Sequence, residues 1–249
     1  MTEYGFPTET IDLPSQGLVY PEGHPLRSGK IDIKYMTAKE EDILTSTNLI
    51  QKGLVFDKLM ESVIVTPGVK YDELITGDMN AVMIASRILA YGSEYPIAIR
   101  CSGCDENVNH VVNLADLPMV NLTETPVDGE YSFTLPSGVI LTYRLLTRAD
   151  EKNIRAEVEA LKKVNKTIGD SEGSTRLKYI ITSVNGNRDK ALVRQFAEAM
   201  VIRDVRAFRK EIQRVSPDIN TELSIECDSC GNINTVRLPF GVTFFWPEL

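Results

Sequence analysis

Hydrophobic and polar positions fall into short blocks whose period changes repeatedly along the chain. Residues 1–10 are polar and show no period, which predicts a flexible N-terminus over 1–12. Pro14, Gly17, Pro21, Gly23, Pro25 and Gly29 then punctuate 13–30 too densely for a helix, so this stretch reads as loop and short hairpin. Ile31, Ile33 and Tyr35 alternate with Asp32 and Lys34, the period of a half-buried strand. Thr37 with Glu40 three residues on is a capping-box signature, opening a helix that runs to Gln51. Gly53 breaks it, and Leu59, Met60, Val63 and Ile64 form a second apolar stripe that stops at Pro67 and Gly68. A third helix, with Asp78 as its predicted cap, winds Val82, Met83, Leu89 and Ala90 around a largely buried segment and ends at Gly92. Strands over 95–100 and 108–112 flank Cys101-Ser-Gly-Cys104.

The second half repeats this order. Leu135-Pro-Ser-Gly138 echoes Leu13-Pro-Ser-Gln-Gly17, and Leu146-Thr-Arg-Ala-Asp-Glu151 echoes Met36-Thr-Ala-Lys-Glu-Glu41. The interval between these landmarks is shorter by 12 residues in the second half, the size of the Pro/Gly-rich segment 19–30, so one hairpin insertion accounts for the difference. Helices are expected over 148–164, 175–184, 189–200 and 204–215, with Pro217 closing the series, and then strand, Cys227-Asp-Ser-Cys230-Gly231, strand. The pattern predicts an α+β fold of two duplicated halves, 13–120 and 121–249. Each carries short strands, a helical segment and a CxxC knuckle, and the second ends in an aromatic C-terminus. Chance recurrence of short strings is the competing explanation.

All four cysteines lie in the two CxxC pairs, the sharpest chemical signal in the chain. Each pair sits between two strands, the context in which a knuckle presents two thiolates to a metal, and Gly231 suits the tight turn. A thioredoxin-type pair would instead open a helix, where the dipole lowers the thiol pKa, and no helical pattern follows either pair. If the halves face one another, Cys101, Cys104, Cys227 and Cys230 complete a tetrahedral structural zinc (Zn2+) site resembling a zinc ribbon. More than a hundred residues separate the pairs, unlike compact ribbons, and Asp105 stands where the second knuckle has glycine. Reduced metal-free thiols and a disulfide therefore stay open as alternatives. His110, six residues past Cys104, could substitute as a ligand but reads as a surface strand residue.

Composition narrows the function. With 27 Lys plus Arg against 35 Asp plus Glu, the net charge is −8, which argues against nucleic acid and anionic membranes as partners. The start of the chain lacks a signal-peptide pattern, and the longest apolar run, 81–85, is far below a membrane span. Gly169-Asp-Ser171-Glu-Gly173 imitates a nucleophile elbow, but it follows a long helix and no histidine comes after it, so it reads as a loop between helices. Asp105, Asn107 and Asn109 imitate a calcium loop, with His110 where the bend needs glycine. No enzyme is expected. Arg203, Arg206, Lys210 and Arg214 recur at helical spacing as a basic face, either solvated or partner-binding. Phe244, Phe245 and Trp246 concentrate aromatic area that is buried either in the protein's own core or in a partner.

The segment from Leu13 to Pro25, Met36-Thr-Ala-Lys-Glu-Glu-Asp-Ile43, Gly77-Asp-Met-Asn-Ala81 with Arg87-Ile-Leu-Ala-Tyr-Gly92, both CxxC pairs and Phe244-Phe-Trp-Pro247 resemble the T4-like bacteriophage baseplate proteins of the hub-assembly type. The resemblance covers nearly the whole chain. It implies a non-enzymatic tail protein made in the host cytoplasm, either built into the virion baseplate hub or acting as an assembly chaperone that leaves, and binding other tail proteins such as hub or tape measure. An oligomer is compatible with it. Zinc is not implied by it and rests on the cysteines alone. A zinc-ribbon nucleic-acid-binding regulator is the alternative the residues leave open.

Overall fold

The computed structural model describes residues 7–164, 171–238 and 242–245. Strand β1 (Thr8–Asp12) pairs antiparallel with β2 (Lys30–Lys34), Thr8 opposite Lys34 and Asp12 opposite Lys30. This corrects the expectation of flexibility over 8–12. β1 is almost wholly exposed, so no apolar period betrays it, and it is held instead by its backbone ladder to β2, whose Ile31 and Ile33 are buried. Residues 1–6 lie outside the described residues. The connection from β1 to β2 holds turns and a 3-10 helix, Pro25–Ser28, rather than an inserted hairpin. Gly17 makes this folding possible: its φ is +76°, and a Cβ there would lie 2.5 Å from the Leu26 carbonyl oxygen.

The helix predicted from Thr37 splits into α1 (Ala38–Thr45) and α2 (Thr47–Lys52), because Ser46 leaves helical geometry (ψ 103°) and its hydroxyl accepts from the Leu49 amide. Next come α3 (Val55–Val63), α4 (Thr76–Tyr91), and the hairpin of β3 (Glu94–Arg100) and β4 (Asn107–Asn113). Asp78 is not the cap of α4, which is Ile75. It sits inside the first turn, buried, accepting from the Ser15 amide and hydroxyl (3.0 and 2.6 Å) and the Tyr20 hydroxyl (2.6 Å).

After β5 (Met119–Val120), strands β6 (Tyr131–Thr134) and β7 (Ile140–Tyr143) form the second hairpin, closed by a short turn at Leu135 and Gly138. α5 (Arg148–Val164) follows as expected. The helix expected over 175–184 is α6 (Glu172–Ile180), and its last residues, rich in β-branched side chains, leave it as β8 (Ile181–Val184) to join β7. Then come α7 (Lys190–Ala199), α8 (Ile202–Val215), β9 (Asp218–Ile219), and the hairpin of β10 (Glu222–Glu226) and β11 (Ile233–Arg237).

The halves repeat in detail. Thr37 and Glu40 form the expected box, with the Thr37 amide donating to Glu40 Oε2 (2.8 Å) and Lys34 Nζ to Oε1 (2.7 Å). Thr147, Asp150 and Arg144 do the same at identical spacing: the Thr147 amide reaches Asp150 Oδ2 at 2.9 Å and Arg144 forks onto both carboxylate oxygens (2.7 and 2.8 Å). Ile33 bridges Ile64 as Tyr143 pairs with Ile181.

Among the described residues the two larger apolar cores contain Leu13, Leu26, Leu59 and Val82 in one and Tyr143, Ile154, Leu177 and Phe208 in the other. The chain does not stay in the second half to its end. Beyond α8, β9 pairs with β5, and Ile219, Leu238, Phe244 and Phe245 join the first core. At the crossing, Gly77 of α4 leaves room for the Pro217 carbonyl, whose oxygen a Cβ at this position would overlap.

Candidate metal centre

Each cysteine pair lies on a turn that a hairpin holds by the same two backbone hydrogen bonds. The Cys101 amide donates to the Glu106 carbonyl (2.9 Å) and the Asp105 amide to the Cys101 carbonyl (3.0 Å). In the second knuckle Cys227 donates to Asn232 (2.9 Å) and Gly231 to Cys227 (2.8 Å). Gly231 has φ 69° and Asp105 φ 65°, so aspartate fills the left-handed position that the other knuckle gives to glycine. Arg100 fixes it there, its Nε and Nη2 each 3.2 Å from the Asp105 carbonyl and carboxylate.

The two knuckles face one another. Cys101 Sγ lies 3.7 Å from Cys230 Sγ, and Cys104 Sγ lies 3.7 Å from Cys227 Sγ. All four sulfurs are within 4.8 Å of each other, and none is in a disulfide. A tetrahedron of sulfurs about 2.3 Å from a central ion has edges of roughly 3.8 Å, whereas a disulfide would bring a pair to about 2.0 Å. The quartet thus has the chemistry and spacing to hold a tetrahedral metal ion. Backbone N–H groups of Cys104 and Gly103 donate to Cys101 and hold its thiol down near pKa 6. Cys104 goes the other way: a backbone hydrogen bond at Glu106 favours its thiolate, but Cys230, burial, Cys227 and Cys101 together push it up to about 12. Sulfurs so close resist sharing negative charge, and a dication would relieve that.

Two asparagines that sequence reasoning missed tie the knuckles together. Buried Asn234 accepts from the Ser102 amide (2.9 Å) and hydroxyl (3.0 Å) and points Nδ2 at Cys101 Sγ (3.6 Å). Asn232 reaches the Ser102 hydroxyl at 3.0 Å and Cys101 Sγ at 3.9 Å. Gly103 permits this approach, since a Cβ there would meet that of Asn232 at 3.0 Å. The only signal in the sequence is an N-x-N spacing after Cys230, too common to single out. Cys101 and Cys227 sink into a small apolar cluster with Val108 and Ile225, while Cys230 is exposed.

The other predicted site residues scatter. His110 is exposed on β4 opposite Ile97, away from the sulfurs. Arg203, Arg206 and Lys210 are exposed on α8, but Arg214 is engaged within the chain, its guanidinium on Glu124 (2.6 Å) and Glu211 (2.7 Å). Of the two places the sequence left open for Phe244 and Phe245, they occupy the chain's own first core, ring centroids 5.3 Å from Tyr95 and 6.1 Å from Phe56 respectively, and Arg87 Nε donates to the Phe244 carbonyl. Trp246 lies outside the described residues, as do Gly169 and Asp170 of the elbow-like string, whose Ser171 is the cap of α6. No helix among the described residues is long and apolar enough to cross a membrane.

No curated protein and no solved structure matches the sequence. A family does: residues 9–246 match the T4 bacteriophage base plate protein family from β1 through both knuckles to the aromatic C-terminus, and the chain belongs to that family.

Proposed function

We propose that this baseplate protein acts without catalysis, as a hub subunit or as a chaperone-like hub and tail assembly factor. It works by binding other tail proteins in the host cytoplasm and, as a subunit, in the virion. Family membership over residues 9–246 supports the baseplate setting, and the duplicated architecture supplies two similar scaffolds on one chain. The cysteine quartet is read as a structural zinc site of Cys101, Cys104, Cys227 and Cys230 that clamps the halves together. The 3.7 Å diagonal sulfur pairs carry this reading. Zinc would supply cross-linking and no reaction. Partner binding falls to the exposed cations Arg203, Arg206 and Lys210.

Affinity isolation of the tagged chain from infected cells, with mass spectrometry of purified virions, tests the assembly role. Hub, tape-measure or other baseplate proteins are expected in the isolate, and their absence overturns it. Presence or absence in the virion separates subunit from assembly factor. Zinc analysis of the purified protein should give one equivalent per chain. A titration against single-stranded DNA at rising salt checks the regulator reading, for which steeply salt-dependent affinity is required.

A further inference from the structure

The halves differ at the start of their long helices. In the first, the insertion after Gly17 folds over the start of α4: the Tyr20 hydroxyl accepts from the Ile75 amide (3.3 Å) and donates to Asp78, and the cap residue Ile75 is 5% exposed. In the second, the short turn at Leu135 and Gly138 brings Pro136 beside the start of α8 and leaves that start open. Asp204, at the same third helical position as Asp78, is 3% exposed, yet its Oδ1 has no hydrogen-bond donor among the described residues. Its nearest cation is Arg203, at 3.8 Å. The cap residue Val201 is 56% exposed and Ile202 72% exposed.

An open groove of about 860 Å³ results. Ile202 and Pro136 give it an apolar floor, and Arg203, Arg206, Arg209 and Lys210 rim it, with no acid among the lining residues. Arg206, Arg209 and Lys210 have no carboxylate partner among the described residues, although acids outnumber bases in the chain. Cations left unpaired around exposed aliphatic surface match a ligand that brings both carboxylates and an apolar side chain. A phosphate backbone would meet the cations but leave Ile202 and Pro136 uncovered.

We propose that this groove seats an acidic segment of another tail protein. One of its aliphatic or aromatic side chains rests on Ile202 and Pro136, in the role Tyr20 plays in the first half, and its carboxylates face Arg203, Arg206 and Lys210. This rests on the baseplate reading and adds to it where the partner docks and what chemistry docks there. The test is Ile202→p-benzoylphenylalanine in the full chain, irradiated in infected cells, with the cross-linked peptide sequenced; Glu61→p-benzoylphenylalanine on the first half serves as the control. The expected product is a peptide from a different tail protein, richer in Asp and Glu than in Lys and Arg. Its yield should fall about tenfold when Arg206→Glu and Lys210→Glu are added, with thermal melting unchanged. Cross-links to nucleic acid, to a second copy or to a neutral or basic segment overturn the proposal. So does the absence of any cross-link. If the chain still co-purifies with tail proteins in that case, the groove alone fails; if it co-purifies with none, the assembly reading falls with it.

Discussion

Asp78 and Asp204 hold the same helical position in the two halves and live differently. Asp78 gathers three hydrogen bonds from Ser15 and Tyr20, while Asp204 Oδ1 has no donor and the helix start beside it is open. The 12-residue difference between the loops accounts for the contrast, since Tyr20 belongs to the segment that the second half lacks. The same asymmetry appears at the chain end. The segment beyond α8 leaves the second half and completes the first core with Phe244 and Phe245. One half is sealed by insertion and tail, the other keeps an exposed helix face, and the cysteine quartet belongs to both.

The quartet should give the largest effect. Structural zinc contributes about 10–16 kcal/mol to the folding of small zinc-finger peptides, far above the roughly 1 kcal/mol of an average substitution. Cys101→Ser and Cys227→Ser, at the two buried sulfurs, should lose the metal and lower the denaturation midpoint severely, and Cys230→Ser, at an exposed one, less. Denaturation with and without chelator checks this. Variants that melt like wild type, from a protein free of zinc, would leave the halves joined by packing alone.

The aspartates come next. Asp78→Ala strands the buried Ser15 amide and the Ser15 and Tyr20 hydroxyls, and at about 1–3 kcal/mol per orphaned group the expected loss is roughly 3 kcal/mol. Asp204→Asn, which removes no hydrogen bond at Oδ1, should cost under about 1 kcal/mol. Equal losses measured by urea denaturation would erase the distinction between sealed and open helix starts. A smaller contrast lies one residue earlier. Gly77→Ala drives a methyl into the Pro217 carbonyl and should cost about 1–3 kcal/mol, whereas Arg203→Ala at the matching position of α8 should stay within about 0.5 kcal/mol.

Much of this was readable from local chemistry. Thr37 with Glu40, the paired cysteines and the extent of α5 all follow from short-range rules, and each stands where those rules put it. What escaped was long-range. β1 has no apolar period because its order comes from β2, and residues 181–184 look helical until β7 offers them a ladder. The aromatic tail could have anchored either in a partner or at home, and only the return of the chain past Pro217 decides it. Asn232 and Asn234 are similar: nothing near them in sequence reveals that Ser102 lies across the gap.

The finest contrast is between the two capping carboxylates, and pH resolves it. Burial opposes ionisation of Glu40, but hydrogen bonds from Lys34, Ser62 and Thr37 overcome it and hold its pKa down from 4.5 to about 2. Asp150 is likewise held below its ordinary 3.8, with Arg144 and Thr147 outweighing burial. Because both carboxylates are easier to ionise folded than unfolded, they contribute fully above their unfolded values, and the contribution drains away as the pH falls through the folded ones. Stability should therefore be level with respect to these groups above about pH 4.5 and fall on acidification towards pH 2. Glu40→Gln should cost about 1 kcal/mol at neutral pH and remove the part of the acid slope that begins near 4.5. Asp150→Asn should remove only the part that begins near 3.8. Urea midpoints collected from pH 7 to pH 2.5 separate the two, and identical profiles for both variants would mean that the matching boxes of the two halves are held by different forces from those their hydrogen bonds describe.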